Sequence, residues 1–318
     1  MFLTLLRSAI RLSAVYLYGC VGETITEKSG NLNLGTPGIM CLGGLGSILG
    51  ATTYVSIVGE DNIQPFGAAI TLILFTVIFA CLGGMIYNVL TTTLKCNQNV
   101  TGLAITTFGI GMLNYFGGRA DKAGFTDISN IFKTSFPIGD NPNWFETLFL
   151  SYGALVYLAI IIAIISAIVL KRTRIGLNLR AVGENPATAD AASISVTKYK
   201  YVATLLGSAI AGLGGLFYLF DQRNGNIEYF ISDFGWLAVA LVIFTVWRPN
   251  WAILGSFIFS LLYLLPQYLN TGSTAQAEAI KMIPYLATIV VLIITSIISR
   301  RESQPPAALG LSYFREER

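Results

Sequence analysis

The sequence predicts an all-α integral membrane protein, a polytopic helical bundle of about 8–10 transmembrane helices. Three observations lead there. Charged residues make up only 12% of a 318-residue chain that is 54% hydrophobic, whereas a soluble domain carries about a quarter charged residues. The few charges are confined to short segments. Long uncharged runs fill the space between those segments.

Seven such runs are long enough to be spans. They are Ser29–Gly59, Gly67–Leu94, Asn99–Gly118, Thr147–Leu170, Tyr201–Phe220, Trp251–Ala277 and Ile283–Ser299. A spanning helix needs about 20 mainly apolar residues, and a charge at its centre costs about 2.5–3.5 kcal/mol on insertion scales. Two shorter apolar pieces, Leu12–Gly22 and Phe234–Trp247, complete an expected count of about nine. Residues 1–299 form one transmembrane domain, and residues 300–318 form a cytoplasmic tail.

Loop charges orient the bundle. Residues 171–200 carry six basic side chains (Lys171, Arg172, Arg174, Arg180, Lys198, Lys200) and two acidic ones (Glu184, Asp190). Lys95, Arg248 and the tail arginines Arg300, Arg301, Arg315 and Arg318 fall in alternate loops with them. The positive-inside rule puts these segments in the cytoplasm, with twelve basic residues there against five in the opposite loops. The N-terminus breaks the pattern, because nine simple spans leave Arg7 and Arg11 outside. A broken or re-entrant element over Gly30–Gly38 would change that parity.

The stretch Gly22–Gly38 is too polar for lipid exposure, and its glycines and Pro37 disfavour a continuous helix. Two readings are open. One is a broken N-terminal element lining a pathway with Asn31 and Asn33. The other is an ordinary turn at the cytoplasmic interface.

Histidine is absent, which removes the commonest transition-metal ligand. The four cysteines, Cys20, Cys41, Cys81 and Cys96, have no CxxC spacing and read as small buried hydrophobes. No metal, cofactor or nucleic-acid site is expected. No catalytic constellation is evident, so the chain does not read as an enzyme.

The loop at 171–200 has more pattern than a connector of a few residues requires. Asn185-Pro186 is a helix start, with Asn as cap and Pro in the first turn. Ala187 to Ala192 continues as a short Ala-rich helix outside the hydrocarbon, and its small side chains permit close approach of another surface.

The segment Gly176-Leu-Asn-Leu-Arg180-Ala-Val-Gly-Glu184-Asn185-Pro186, followed by Ala189-Asp190-Ala191-Ala192, resembles the cytoplasmic coupling segment of ABC-importer permeases. The subgroup is the one that handles branched-chain amino acids, simple sugars and nucleosides. Gly22-Glu23, Ser29-Gly30 and Asn33-Leu34-Gly35 through Gly38 look like the same family's first block. Trp247-Arg248-Pro249 and the tail Pro305-Pro306-Ala307-Ala308-Leu309-Gly310 with Tyr313 resemble nucleoside-uptake permeases. One departure is Ser193, where the family usually has Gly.

The resemblance implies a permease subunit of an ABC importer in the plasma membrane, moving a small neutral solute by ATP-driven alternating access. Nucleosides are the favoured solute, with simple sugars or branched-chain amino acids as alternatives. It implies a cytosolic ATPase docked on a coupling helix at Gly183, Glu184, Asn185, Pro186, Ala189, Asp190, Ala191 and Ala192. It also implies a second permease subunit, of a different chain, and an extracytoplasmic substrate-binding lipoprotein. The chain has no GxxxxGK[ST] loop, so ATP hydrolysis is assigned to the separate subunit. By residue type and membrane position, Asn31, Asn33, Asn88, Asn114 and Tyr115 are candidate pathway residues. Intramembrane charge is expected to be nearly absent, which argues against an ion-coupled secondary transporter.

Overall fold

The computed structural model describes residues 2–135, 143–226, 231–268, 274–298 and 304–314. Arg300, Arg301, Arg315 and Arg318 lie outside the described residues. The described chain is helical, with no strand.

Fourteen α-helices are found among the described residues. They are α1 (Phe2–Glu27), α2 (Thr36–Val58), α3 (Pro65–Asn88) and α4 (Gln98–Met112) in the first part of the chain. Two short helices follow, α5 (Phe125–Lys133) and α6 (Trp144–Phe149), then α7 (Ala154–Arg172). Next come α8 (Arg174–Glu184), α9 (Pro186–Ala191) and α10 (Val196–Leu216). The chain continues with α11 (Ile231–Phe244), α12 (Pro249–Tyr268), α13 (Thr274–Lys281) and α14 (Ile283–Ile298). Among the described residues, α2, α3, α4, α7 and α10 are each long and apolar enough to cross a membrane. Three of them run on through a π-helical turn: α3 over Val89–Thr93, α4 over Leu113–Gly117 and α10 over Phe217–Gln222.

The ends of these helices follow from local chemistry. Pro37 and Pro65 sit in the first turns of α2 and α3, where a missing N–H costs nothing. Asn97 caps α4 by accepting from the Val100 N–H at 3.1 Å, and Thr173 caps α8 by accepting from Gly176 at 3.1 Å.

The core is built around α1, which is packed on by α7, α10, α11 and α12. From Ala14 to Thr24 every residue of α1 is buried. Backbones meet closely at glycines, as is usual where helices associate without a hydrophobic drive. A Cβ on Gly22 would lie 2.4 Å from the Gly207 carbonyl oxygen, and one on Gly215 would lie 2.1 Å from that of Met40. Outward faces of the bundle are branched aliphatics such as Ile70, Leu74 and Ile78 of α3 and Ile161, Ile165 and Ile168 of α7.

α1 is one unbroken helix through Glu27, so the polar residues Gly22–Glu27 belong to it. The break is the non-helical stretch 28–35, a turn into α2 at the end of the bundle that carries Lys95, α8, α9 and Arg248. That is the basic end, which the positive-inside rule makes cytoplasmic. Arg11 lies at the other end, where its Nε–H donates to Asp221 Oδ1 at 2.6 Å. The expected break is thus the turn after α1, and Arg11 stands at the end of α1 opposite to it.

The cysteines depart partly from expectation. Cys20 and Cys41 are buried, but Cys96 is exposed in the turn before α4.

Asp221 is fully buried and Arg11 is its ion-pair partner. Breaking such a pair strands a buried charge at a cost of about 3–5 kcal/mol, while replacing both partners by apolar residues is often neutral. Arg11→Leu is expected to lower the melting temperature in detergent sharply. Arg11→Leu combined with Asp221→Leu is expected to recover most of the loss.

Candidate functional site

The 171–200 segment folds as two helices. At Gly176 the chain turns from α7 into α8 so tightly that a Cβ would lie 2.2 Å from the Val169 carbonyl oxygen. Asn185 then joins α8 to α9. Its N–H completes α8 by donating to Ala181 O at 2.9 Å, and its Oδ1 caps α9 by accepting from the Thr188 N–H at 3.0 Å. Pro186 occupies the first turn. The helix closes with Ser193 N–H on Asp190 O at 3.0 Å and Ile194 N–H on Ala189 O at 2.9 Å. Ser193 takes the left-handed conformation, φ 63°, at the position where helices commonly end in Gly.

The predicted docking residues divide into two sets. Asn185, Ala191 and Ala192 are exposed, as are their neighbours Thr188 and Ser193, and Glu184, Pro186 and Asp190 are half-buried. Gly183 and Ala189 are buried against the rest of the chain. Gly183 fits under the α1–α2 turn, where a Cβ would lie 2.3 Å from Lys28 O. These two therefore seat the segment, and the exposed set forms its outer edge.

The tail ties this segment to the bundle, a role that no sequence feature indicated. Ala308 N–H donates to Gly183 O at 3.0 Å, and Gly310 N–H donates to Gly30 O at 3.1 Å. The Tyr313 hydroxyl donates to Asp190 Oδ2 at 2.9 Å. Gln98, at the start of α4, accepts from the Leu32 N–H at 2.7 Å and donates to Leu311 O at 3.5 Å. Coupling segment, tail, α1–α2 turn and α4 thus meet in one hydrogen-bonded junction. Lys28 lies within it. Burial pushes its amine below the ordinary value, and nearby Glu184 acts in the opposite sense.

The interior of the turn is equally organised. Glu23 of α1 accepts from the Asn33 N–H at 3.2 Å and from the Thr36 hydroxyl. Asn33 Oδ1 accepts from the Gly35 N–H at 3.0 Å. Glu27 accepts from the Trp247 indole N–H. Two buried acidic groups therefore sit in α1, which corrects the expectation that charge inside the bundle is nearly absent. The sequence reading had set Glu23 and Glu27 in a polar interruption and so did not weigh them.

The five candidate pathway residues do not come together. Asn31 is buried, donating to the Thr204 and Thr92 hydroxyls at 3.1 and 3.4 Å. Asn33 is buried in the turn. Asn88 is buried and donates to Tyr201 O at 3.2 Å. Asn114 and Tyr115 are exposed on the π-helical end of α4, and such turns recur at functional sites. There the Arg119 guanidinium lies 3.8 Å from the Tyr115 ring centroid, and Phe116 meets Tyr115 edge-on at 4.9 Å. The same face of α4 exposes Ala104, Thr107 and Gly111.

A helical membrane bundle carrying an ordered, capped helix pair beyond its cytoplasmic end is a polytopic transport permease in form. The chain belongs to the family described as the branched-chain amino acid transport system permease component, whose model matches residues 5–295. It is 31% identical to a protein of Haloferax volcanii assigned as a glucose ABC transporter permease, over 98% of each chain. It is 28% identical to a nucleoside ABC transporter permease of Lactococcus lactis, covering 96% of this chain and 95% of the other. A guanosine ABC transporter permease of Bacillus subtilis is also 28% identical, with the same coverage. The chain is an ABC transporter permease subunit.

Two outcomes are expected from this geometry. A left-handed residue with a Cβ costs about 1–2 kcal/mol relative to Gly, so Ser193→Gly should raise unfolding stability by about 1 kcal/mol in denaturant titration. Tyr313→Phe removes a net hydrogen bond of about 1 kcal/mol. Protease cleavage of the tail should become faster in that variant while the spans stay intact.

Proposed function

We propose that this chain is the membrane-spanning subunit of an importer that carries nucleosides across the plasma membrane, driven by ATP bound to a separate cytosolic ATPase. The observation that carries the reading is the contrast between exposed faces. α3 and α7 present branched aliphatics suited to lipid, whereas α4 exposes Ala104, Thr107, Gly111, Asn114 and Tyr115 among Val100, Leu103 and Phe108. A small, polar and aromatic face fits a solute path shared with a second permease subunit of a different chain. Asn114 offers an amide for a base edge, and Tyr115 with Phe116 offers aromatic faces for stacking. Two of the three relatives described above have nucleoside or guanosine names.

The exposed edge Asn185–Ser193 is the surface for the ATPase, with Glu184 and Asp190 flanking it. When the ATPase dimer closes, the edge moves, and the tail junction transmits that motion to the α1–α2 turn and to Gln98 of α4. The two pathway openings then exchange as a two-state equilibrium. A substrate-binding lipoprotein delivers the solute outside. Asn31, Asn33 and Asn88 hold the turn and the α3–α10 contact rather than touching solute.

A sugar is the second reading, favoured by the glucose name of the Haloferax relative. Proteoliposomes containing the permease pair, the ATPase and the binding protein should take up labelled guanosine only with ATP. Glucose uptake with no guanosine uptake would select the sugar reading. Guanosine uptake driven by an ion gradient without ATP would overturn the ABC mechanism. Asn114→Ala is expected to lower guanosine uptake about tenfold, the equivalent of one lost hydrogen bond to a polar solute, with ATPase association unchanged. Ala191→Trp, on the exposed edge, is expected to abolish ATPase co-purification while membrane insertion is kept.

A further inference from the structure

A cavity of about 470 Å³ lies away from both the coupling edge and the α4 face. It is a groove between α7 and α10 at their cytoplasmic ends, floored by Ile25 of α1 and roofed by Ile175 of α8. Its walls include Val169 of α7 and Val202 and Leu206 of α10. The walls are almost wholly apolar, and Lys198 stands at the rim.

We propose that this groove binds an anionic phospholipid of the cytoplasmic leaflet, one acyl chain in the groove and the headgroup on Lys198. Length argues for a lipid chain. On α10 the lining runs from Lys198 to Ile210, about 18 Å at 1.5 Å per residue. One leaflet of a bilayer has about 15 Å of hydrocarbon. The polar rim therefore falls at headgroup depth, and the apolar lining ends near the midplane.

Charge argues for an anionic headgroup. Lys171, Arg172 and Arg174 are exposed where α7 meets α8, beside the same mouth. None of these four basic groups is ion-paired among the described residues. Basic residues next to a membrane surface each contribute about 1 kcal/mol of attraction to anionic lipid. α8 adds an interfacial face, exposing Ile175 and Leu177 alongside Arg174 and Arg180. The occupant would sit between the two helices that carry the coupling segment, so its presence bears on how α8 moves against α10.

Native mass spectrometry of the purified chain in detergent tests this, with phosphatidylglycerol and phosphatidylcholine supplied at equal concentration. The expected result is at least fivefold greater retention of phosphatidylglycerol. Val202→Trp, which fills the groove from an exposed wall position, and Lys198→Glu, which reverses the rim charge, should each remove that preference. Inorganic phosphate at millimolar concentration should not displace the lipid, since the acyl chain supplies the binding. Equal retention of the two lipids, or wild-type retention in both variants, would overturn the assignment. Displacement by phosphate alone would show an anion site without the lipid and would overturn it as well. Neither variant touches the α4 face or the Asn185–Ser193 edge, so the result is independent of which solute is carried.

Discussion

The bundle is organised by the need to satisfy irregular backbone inside a membrane protein. Helices satisfy their own N–H and C=O groups, and non-helical backbone is tolerated only where protein supplies partners. The turn over 28–35 is such a stretch. Glu23 and Gln98 accept its Asn33 and Leu32 N–H groups, the Tyr87 hydroxyl donates to Leu32 O at 2.6 Å, and the tail amide of Gly310 donates to Gly30 O. These partners come from α1, α4, α3 and the tail. Their geometry is coupled because they serve one turn, and the coupling segment is seated on the same turn through Gly183. A motion of α8 and α9 therefore acts on α4 through hydrogen bonds rather than through lipid-facing contacts.

The outer surface is informative because lipid and solute ask for different side chains. Lipid accepts branched aliphatics without cost, whereas exposed Asn, Thr and Gly gain nothing from hydrocarbon. The first kind of surface covers α3 and α7, and on α4 the second kind is interspersed with exposed Val100, Leu103 and Phe108. The same reasoning separates two roles among asparagines that look alike in the sequence. Asn31 and Asn88 spend their amides within the bundle, while Asn114 presents its amide outward from a π-helical turn.

Much of the fold was legible in the sequence because membrane solvation is a strong and local constraint. The uncharged runs carry the long helices, and the Asn185-Pro186 start became a cap whose donor is the Thr188 N–H. The N-terminal region was legible only in part, for a physical reason. Glu23 and Glu27 look incompatible with a span, but their partners, Thr36 and Trp247, lie elsewhere in the chain. Local composition cannot reveal a charge satisfied from a distance. The tail junction was hidden for the same cause. Ala308 and Gly310 act through backbone amides, and backbone donors carry no residue signature. On the tail side, Tyr313 contributes a side chain, its hydroxyl donating to Asp190 Oδ2.

The pairing of Arg11 with Asp221 has a consequence for how the chain is made. Arg11 belongs to α1, and Asp221, which neutralises it, comes 210 residues later. At synthesis rates of about 5–20 residues per second, that interval is about 10–40 s. During it, α1 lacks the partner that fixes its outer end and also lacks α10, α11 and α12, which bury its centre. The central helix of the finished bundle is therefore made well before the partners that secure it. Membrane assembly of this protein is a closing step around α1 rather than a stepwise addition of finished helices.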